Sequence, residues 1–354
     1  MGQMKRNSNF ELLRLISMYM IVFIHANMYL PYFCQGRVRF FFNGLANGIC
    51  NIGVTCFILI SGYFGLQFSL KKLWKMECMM ISFSLLETLI LYILMPQEMQ
   101  GTVLLEQLIK SCFPVITRKY WFYSCYICLF CLSTYINKFI DWLKKEEFGR
   151  LLGILLLFFS VFPSVFYFEI IPDNGKGLFQ MIIIYMLGRY LRKYEIRSLS
   201  KGWAITLFCV LWLVNGISHE IPISLGGIYH HLCKDNSITN IIMAIILFNL
   251  VSKWTFQSDM INKLAKYVFA VFALNNSLVS AVMHLLKQRE VLQPSGGMGA
   301  IALMALVMGI MIFCILIGAL REILIGKIEN KILNHLVEMI MSNRNMLKWK
   351  RGME

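Results

Sequence analysis

Long apolar runs recur along almost the whole chain, and they constrain its fold more than any other feature. A helix needs roughly 17–22 apolar residues to cross about 30 Å of hydrocarbon. Hydrophobic residues make up 58% of the 354 residues and charged residues 15%, which is too apolar a balance for one soluble core. The runs predict an all-α, polytopic membrane protein with ten spanning helices. These lie near residues 10–30, 44–66, 76–95, 120–138, 150–168, 178–193, 203–217, 237–252, 266–286 and 297–320.

The formal charge of +15 is distributed unevenly between the two predicted sides of the membrane. With both termini cytoplasmic, 24 Lys and Arg residues fall on the cytoplasmic side, 9 fall outside, and Arg14 lies in the membrane. This asymmetry is typical of the positive-inside rule for membrane proteins. The basic charge therefore predicts a multi-pass protein whose partner is the lipid bilayer, and no nucleic-acid partner is needed to explain it.

The chain divides at residue 320 into a membrane domain and a tail. No linker, low-complexity tract or repeat interrupts residues 1–320, which predicts one transmembrane domain. In residues 321–354, apolar side chains recur every fourth position from Leu324 through Ile328 to Ile332, among lysines. This pattern predicts a basic amphipathic cytoplasmic tail that lies on the anionic leaflet. A packing or oligomer contact is the alternative.

The eleven cysteines do not indicate a disulfide framework, because their number is odd and most fall inside predicted spans. Cys125, Cys128 and Cys131 have the spacing of one helix face, which would also suit metal ligands. A role as small apolar packing residues explains these cysteines better, and we expect no metal site.

The first predicted span carries two ionisable residues, Arg14 and His25. Hydrocarbon penalises each by several kcal/mol unless it is paired or hydrated, so such residues mark a functional site by default. Eleven residues at 100° each come within about 20° of whole turns, so both side chains share one helix face. Glu11 shares that face and is expected to pair with Arg14. The alternatives are that Arg14 extends to the lipid headgroups and that His25 only packs.

Five short motifs follow one another along the chain and are specific as a set. They are Arg14-x10-His25; Asn51-Ile52-Gly53-Val54 with Phe57 and Ser61-Gly62-Tyr63; Lys72-Leu73-Trp74-Lys75; Tyr120-Trp121-Phe122 with Tyr126 and Asn137; and Tyr185-Met186-Leu187-Gly188-Arg189-Tyr190. In this order they resemble the acyltransferase-3 family of integral-membrane proteins, which O-acylate bacterial surface polysaccharides and related carbohydrates.

Two of these regions depart from the family pattern. Lys72 and Lys75 stand where the family has arginines, which keeps the charge but loses bidentate recognition of phosphate. Near the ninth helix the family often carries Y-x-x-H, whereas this chain has Phe272-Ala273-Leu274-Asn275. Any role of that second histidine is therefore absent or altered.

The resemblance implies an O-acyltransferase of a bacterial cytoplasmic membrane. The acyl group, most often acetyl, would pass from cytoplasmic acyl-CoA to a hydroxyl of an extracytoplasmic or lipid-linked carbohydrate. Acyl-CoA would be a donor substrate, and no cofactor would be bound permanently. Histidine suits the transfer because its pKa, near 6.5 when unperturbed, allows it to accept a hydroxyl proton at neutral pH.

We expect the donor-binding site to contain Arg14, Lys72 and Lys75, which would bind the phosphates of coenzyme A. Its pantetheine arm would then span the rise of about 16 Å between Arg14 and His25. Arg14 and His25 are thus the predicted catalytic pair. The two lysines alternatively serve only membrane topology.

Four further residues are predicted to contact substrate. Trp121 either lines the acceptor cavity or anchors its helix at the interface. Asn51 and Ser61 either donate hydrogen bonds to an oxyanion or allow close helix packing. Glu87 lies in the third span, needs a partner there, and is a candidate for the site.

A transporter or flippase of a lipid-linked or anionic substrate is the alternative function. Ten helices, a basic cytoplasmic side and intramembrane charges would suit such a carrier equally well. The sequence contains no pseudo-repeat between its halves and no pair of spans broken by Gly or Pro, which many transporters have. Hydrolysis of acyl-CoA that depends on His25 would distinguish the enzyme from the carrier.

Overall fold

The computed structural model describes residues 7–166, 168–194, 199–221, 223–225, 228–289 and 296–351, and helices form most of them. The helices are α1 Ser8–Asn27, α2 Gly36–Cys50, α3 Gly53–Phe64, α4 Leu70–Leu94, α5 Gly101–Cys112, α6 Trp121–Trp142, α7 Lys145–Leu156, α8 Phe162–Phe166, α9 Leu178–Lys193, α10 Lys201–Glu220, α11 Ile238–Ser252, α12 Asp259–Ala265, α13 Val268–Gln288 and α14 Gly297–Arg351. A 3-10 turn covers Leu30–Tyr32, and a π-turn at Leu157–Val161 joins α7 to α8. A short antiparallel hairpin pairs Ile223–Leu225 with Ile228–His230.

Among the described residues, seven helical segments are long and apolar enough to cross a membrane, which confirms the all-α polytopic fold. They are Ser8–Asn27, Gly36–Phe64, Leu70–Leu94, Lys145–Phe166, Lys201–Glu220, Val268–Gln288 and Gly297–His335. Helices also occupy the other three predicted spans, as α6, α9 and α11, but Ile238–Ser252 is short and the other two are outside this set. The count of ten crossings and the cytoplasmic termini therefore stay predictions.

Glycines allow a close helix crossing between α3 and α9. A Cβ on Gly188 would lie 2.9 Å from the Cα of Gly62 and 2.5 Å from the carbonyl oxygen of Leu59. Small residues let helix backbones approach in this way inside a membrane, where van der Waals contact replaces the hydrophobic effect. Gly62 belongs to the second sequence motif and Gly188 to the fifth, so these two motifs form one contact.

A closed set of hydrogen bonds fixes the end of α3. The Tyr185 hydroxyl donates to Asn137 Oδ1 at 2.8 Å, and Asn137 Nδ2 donates to the Leu66 carbonyl at 2.9 Å. The Leu66 amide in turn donates to the Tyr185 hydroxyl at 2.9 Å. Gly65 enters this turn with φ of 76°, a conformation that suits glycine. The motif residues Tyr185 and Asn137 thus hold the end of α3 to α9 and α6.

Helices α12 and α13 accompany α1 along its whole length. At one end, the Ser258 amide donates to Ser8 Oγ at 2.8 Å. At the other end, Asn275 contacts His25. The separation along the chain is the same between Ser8 and His25 as between Ser258 and Asn275, so the two segments run in parallel. These contacts at both ends of α1 position His25 against α13.

The last helix continues without a break from Gly297 to Arg351, so no turn marks a boundary at residue 320. At about 1.5 Å per residue, its 55 residues extend roughly 80 Å. Leu324, Ile328 and Ile332 of the predicted apolar stripe are exposed. The division at residue 320 and a position of the tail on the leaflet stay predictions, while Leu336 and Ile340 have no described side chains.

Candidate active site

Two cavities meet at His25. The first, which we call the Arg14 cavity, has a volume of about 360 Å³, and the second, the Glu87 cavity, has about 420 Å³. Both are lined by His25, Trp121, Phe122 and Phe272. The Arg14 cavity is also lined by Arg14, Met18, Ile21, Val54, Phe57, Ser61, Met76, Tyr123, Tyr126, Ala265, Lys266, Val268 and Phe269. The Glu87 cavity is also lined by Glu87, Leu91, Gln107, Lys110, Thr117, Arg118, Lys119, Tyr120, Asn275, Asn276 and Ser277.

Asn275 determines which nitrogen of His25 carries the proton. Asn275 Nδ2 donates to the backbone carbonyls of Val271 at 3.0 Å and Phe272 at 2.8 Å. Its Oδ1 is therefore left to face His25 Nδ1, 2.5 Å away. A carbonyl oxygen only accepts, so a neutral His25 carries its hydrogen on Nδ1. The lone pair of Nε2 is then available as a base.

Arg14 and His25 line the same cavity, as their spacing on the helix predicts. The Arg14 guanidinium pairs with Glu11 across 2.8 Å, which confirms the expected pairing. Glu11 is 8% exposed and Arg14 is 29% exposed, so the arginine remains the more accessible partner. Lys266, also in this cavity, pairs with Glu322. Between these cations and His25 the walls are mainly apolar.

Glu87 has the partners that its intramembrane position requires. It forms an ion pair with Lys119 at 2.8 Å and accepts hydrogen bonds from the hydroxyls of Tyr120 and Ser277. Lys119 also donates to Ser111 Oγ at 2.9 Å. The side chains of Glu87 and Lys119 are only 5% and 10% exposed. Breaking one member of such a buried pair costs about 3–5 kcal/mol, because the other charge stays buried.

Aromatic side chains line both cavities next to His25. The Phe122 and Phe272 rings lie 5.4 Å apart, and those of Trp121 and Phe122 lie 5.8 Å apart. Tyr126 stacks on Phe122 at 5.9 Å. Trp121 therefore lines both cavities, and its contact with substrate stays a prediction.

Of the predicted site residues Ser61 and Asn51, only Ser61 lines a cavity that His25 also lines. Ser61 lines the Arg14 cavity, but its hydroxyl donates to the Phe57 carbonyl of its own helix at 3.2 Å. Asn51 lies outside both cavities and donates to the Asn47 carbonyl at 2.8 Å.

The two lysines of the third motif do not reach the Arg14 cavity. Lys75 lines a separate cavity of about 240 Å³ and donates to Asn330 at 3.2 Å. Lys266 lines both this cavity and the Arg14 cavity, so the two adjoin. Lys72 is exposed and lies outside these three cavities.

The sequence alone does not indicate several of the site residues. In the sequence, Asn275 is only a departure from a pattern, and no motif marks Lys119 or Ser277. A buried carboxylate at Glu87 was the available signal that a cation must lie nearby. Within the part of the chain that the structure describes, no cluster of three or more His, Cys, Asp or Glu could hold a metal ion.

The chain belongs to the acyltransferase-3 family. Residues 7–319 match the model of that family, which is described as an acyltransferase domain. The match covers nearly the whole membrane region, and it identifies the protein as a membrane acyltransferase. No curated protein and no solved structure gives a significant match.

Proposed function

We propose that this protein transfers an acyl group, most simply acetyl, from cytoplasmic acyl-CoA to a carbohydrate hydroxyl. The acceptor is extracytoplasmic or lipid-linked, and the membrane is the bacterial cytoplasmic membrane. One observation carries the proposal: His25 lies where two chemically different cavities meet. A base in this position can contact a donor on one side and an acceptor on the other.

The Arg14 cavity suits the donor. Its apolar walls fit a pantetheine arm, and Arg14 lies about 16 Å from His25 by helical rise. Arg14 and Lys266 supply cationic groups for phosphates at the same cavity. Lys75 lies in the adjoining cavity, and exposed Lys72 contributes only long-range attraction in this scheme.

The Glu87 cavity suits a carbohydrate acceptor. Gln107, Asn276 and Ser277 provide hydrogen-bonding groups for sugar hydroxyls, and Trp121 provides an aromatic surface. Glu87 itself is held by Lys119, so it shapes the cavity rather than acting as the base. Ser61 directs its hydrogen to its own helix, which supports a packing role for it.

His25 acts as the general base in this proposal. Its Nε2 takes the proton of the acceptor hydroxyl while the oxygen attacks the thioester carbonyl and forms the new C–O bond. Asn275 accepts the hydrogen bond of the resulting imidazolium at Nδ1. The C–S bond then breaks, and the proton passes from His25 to the leaving thiolate. The products are the ester and free coenzyme A. Transient acylation of His25 is the alternative route.

The test uses the full-length protein in liposomes with labelled acetyl-CoA and a carbohydrate acceptor. His25→Ala and His25→Gln should reduce transfer by about 10²–10⁴-fold, the usual contribution of a positioned acid–base group. His284→Ala is the matched control, because His284 is a helix histidine outside both cavities.

Amounts of folded, inserted protein must be equal among the variants. Glutamine at position 25 with nearly full transfer would exclude His25 as the base. Movement of a lipid-linked substrate without consumption of acetyl-CoA would instead indicate the transporter alternative.

A further inference from the structure

Cationic residues are concentrated at the Glu87 cavity on the side of the membrane where they are scarce. Of the 34 Lys and Arg residues, the predicted topology leaves nine outside. Three of these nine, Lys110, Arg118 and Lys119, line this one cavity. The positive-inside rule disfavours such a group in an external segment, so membrane topology does not explain it.

The charges inside the cavity do not cancel. Lys119 is matched by Glu87, the only carboxylate among the lining residues. Lys110 pairs with Glu106 at 2.5 Å, but both side chains are well exposed, so this pair is weak. Arg118 is exposed and has no carboxylate within ion-pair distance among the described residues. The cavity therefore has excess positive charge, with Arg118 available to a ligand.

The loop before α6 holds Arg118 in an unusual conformation. Its φ of 53° lies in the left-handed region, which residues other than glycine seldom adopt. Three bonds fix the turn: Arg118 N to Val115 O at 3.1 Å, Lys119 N to Pro114 O at 3.1 Å, and Thr117 Oγ1 to Phe113 O at 2.7 Å. Such strain is found at ligand-binding positions, where the surroundings maintain it.

We propose that the acceptor carries a negatively charged group close to the hydroxyl that is acylated. This group is the carboxylate of an acidic sugar or the phosphate of a phosphosugar or lipid-linked sugar, and Arg118 binds it with help from Lys110. A guanidinium binds both chemistries through two parallel hydrogen bonds. The inference rests on the proposed function, in which this cavity receives the acceptor.

The test measures binding separately from transfer, on the full-length protein in nanodiscs. Two matched pairs of soluble probes are compared by saturation-transfer NMR titration: glucuronate with glucose, and N-acetylglucosamine 1-phosphate with N-acetylglucosamine. The charged member of at least one pair should bind about tenfold more tightly, equivalent to ~1.4 kcal/mol. The preferred pair then identifies carboxylate or phosphate as the source of the charge.

Arg118→Gln should abolish this preference and Arg118→Lys should restore part of it. Arg37→Gln is the matched control, because Arg37 is an exposed external arginine outside the cavity. Equal binding of charged and neutral probes, or binding of none, would overturn the anionic subsite. Transfer that depends on His25 would still support the proposed function in that case. Conversely, anion preference without any acyl transfer would refute the proposed function and leave the subsite in place.

Discussion

Asn275 holds the imidazole of His25 through one hydrogen bond, and the resemblance places it where the family often carries a second histidine. Asn275→Leu removes the acceptor at Oδ1, so the Nδ1–H tautomer loses its preference and transfer should fall, by less than the roughly 10²–10⁴-fold expected for loss of the base itself. Asn275→Asp keeps an acceptor oxygen and should retain more activity than the leucine variant. The measurement is kcat with saturating donor and acceptor. Equal loss in both variants would indicate that the Oδ1 acceptor is not sufficient and that the hydrogen bonds donated by Nδ2 are required.

Glu87 and Lys119 form a second testable pair. Glu87→Gln leaves a buried ammonium without its partner, and we expect a loss of about 3–5 kcal/mol in stability. The double variant Glu87→Gln with Lys119→Met removes both charges and should recover much of this loss. Thermal unfolding of the detergent-solubilised protein, followed by size-exclusion chromatography, measures the effect. A double variant no more stable than the single one would show that the two charges act independently.

At the level of residues, local geometry was predictable and distant contacts were not. The pairing of Glu11 with Arg14 and the shared face of Arg14 and His25 follow from the repeat of one helix. By contrast, the partner of His25 lies 250 positions away in the chain, and Ser277 lies 190 positions from Glu87. Such contacts depend on how the helices assemble, which hydropathy does not specify.

At the level of the helices, the close crossing of α3 and α9 leads to a prediction about folding. Gly188→Ala places a methyl group against the Gly62 backbone, so the helices must separate and the yield of folded protein should fall severalfold. Gly153→Ala is the control, because a Cβ there meets nothing within 4 Å and alanine favours a helix by about 0.5–1 kcal/mol. Fluorescence-detected size-exclusion chromatography of tagged protein provides the readout. Equal yields would show that this crossing tolerates a wider spacing.

The helices themselves were largely predictable, because a membrane imposes both their length and their apolar composition. Two features were not. The second predicted span is two helices, since α2 ends at Cys50 and α3 begins at Gly53. The last span also continues as one helix through the basic tail. Hydropathy depends on how apolar a segment is. A turn inside an apolar segment, or a helix that continues past its end, leaves the hydropathy of that segment unchanged.

The charge asymmetry predicts the orientation of the whole molecule, and this prediction can be tested directly. A tag at the C-terminus should be reached by antibody only after the membrane is permeabilised. A tag inserted before Gly101, which is exposed and has open space around it, should be reached in intact spheroplasts. External access to the C-terminal tag would contradict the topology and reverse the sides assigned to the two cavities.

The position of His25 where two cavities meet also bears on how little material must cross the bilayer. In the proposed reaction, coenzyme A enters and leaves through the Arg14 cavity, while the acceptor occupies the Glu87 cavity. Only the acyl group passes His25, so a cell would need neither to export a nucleotide thioester nor to open a path wide enough for one.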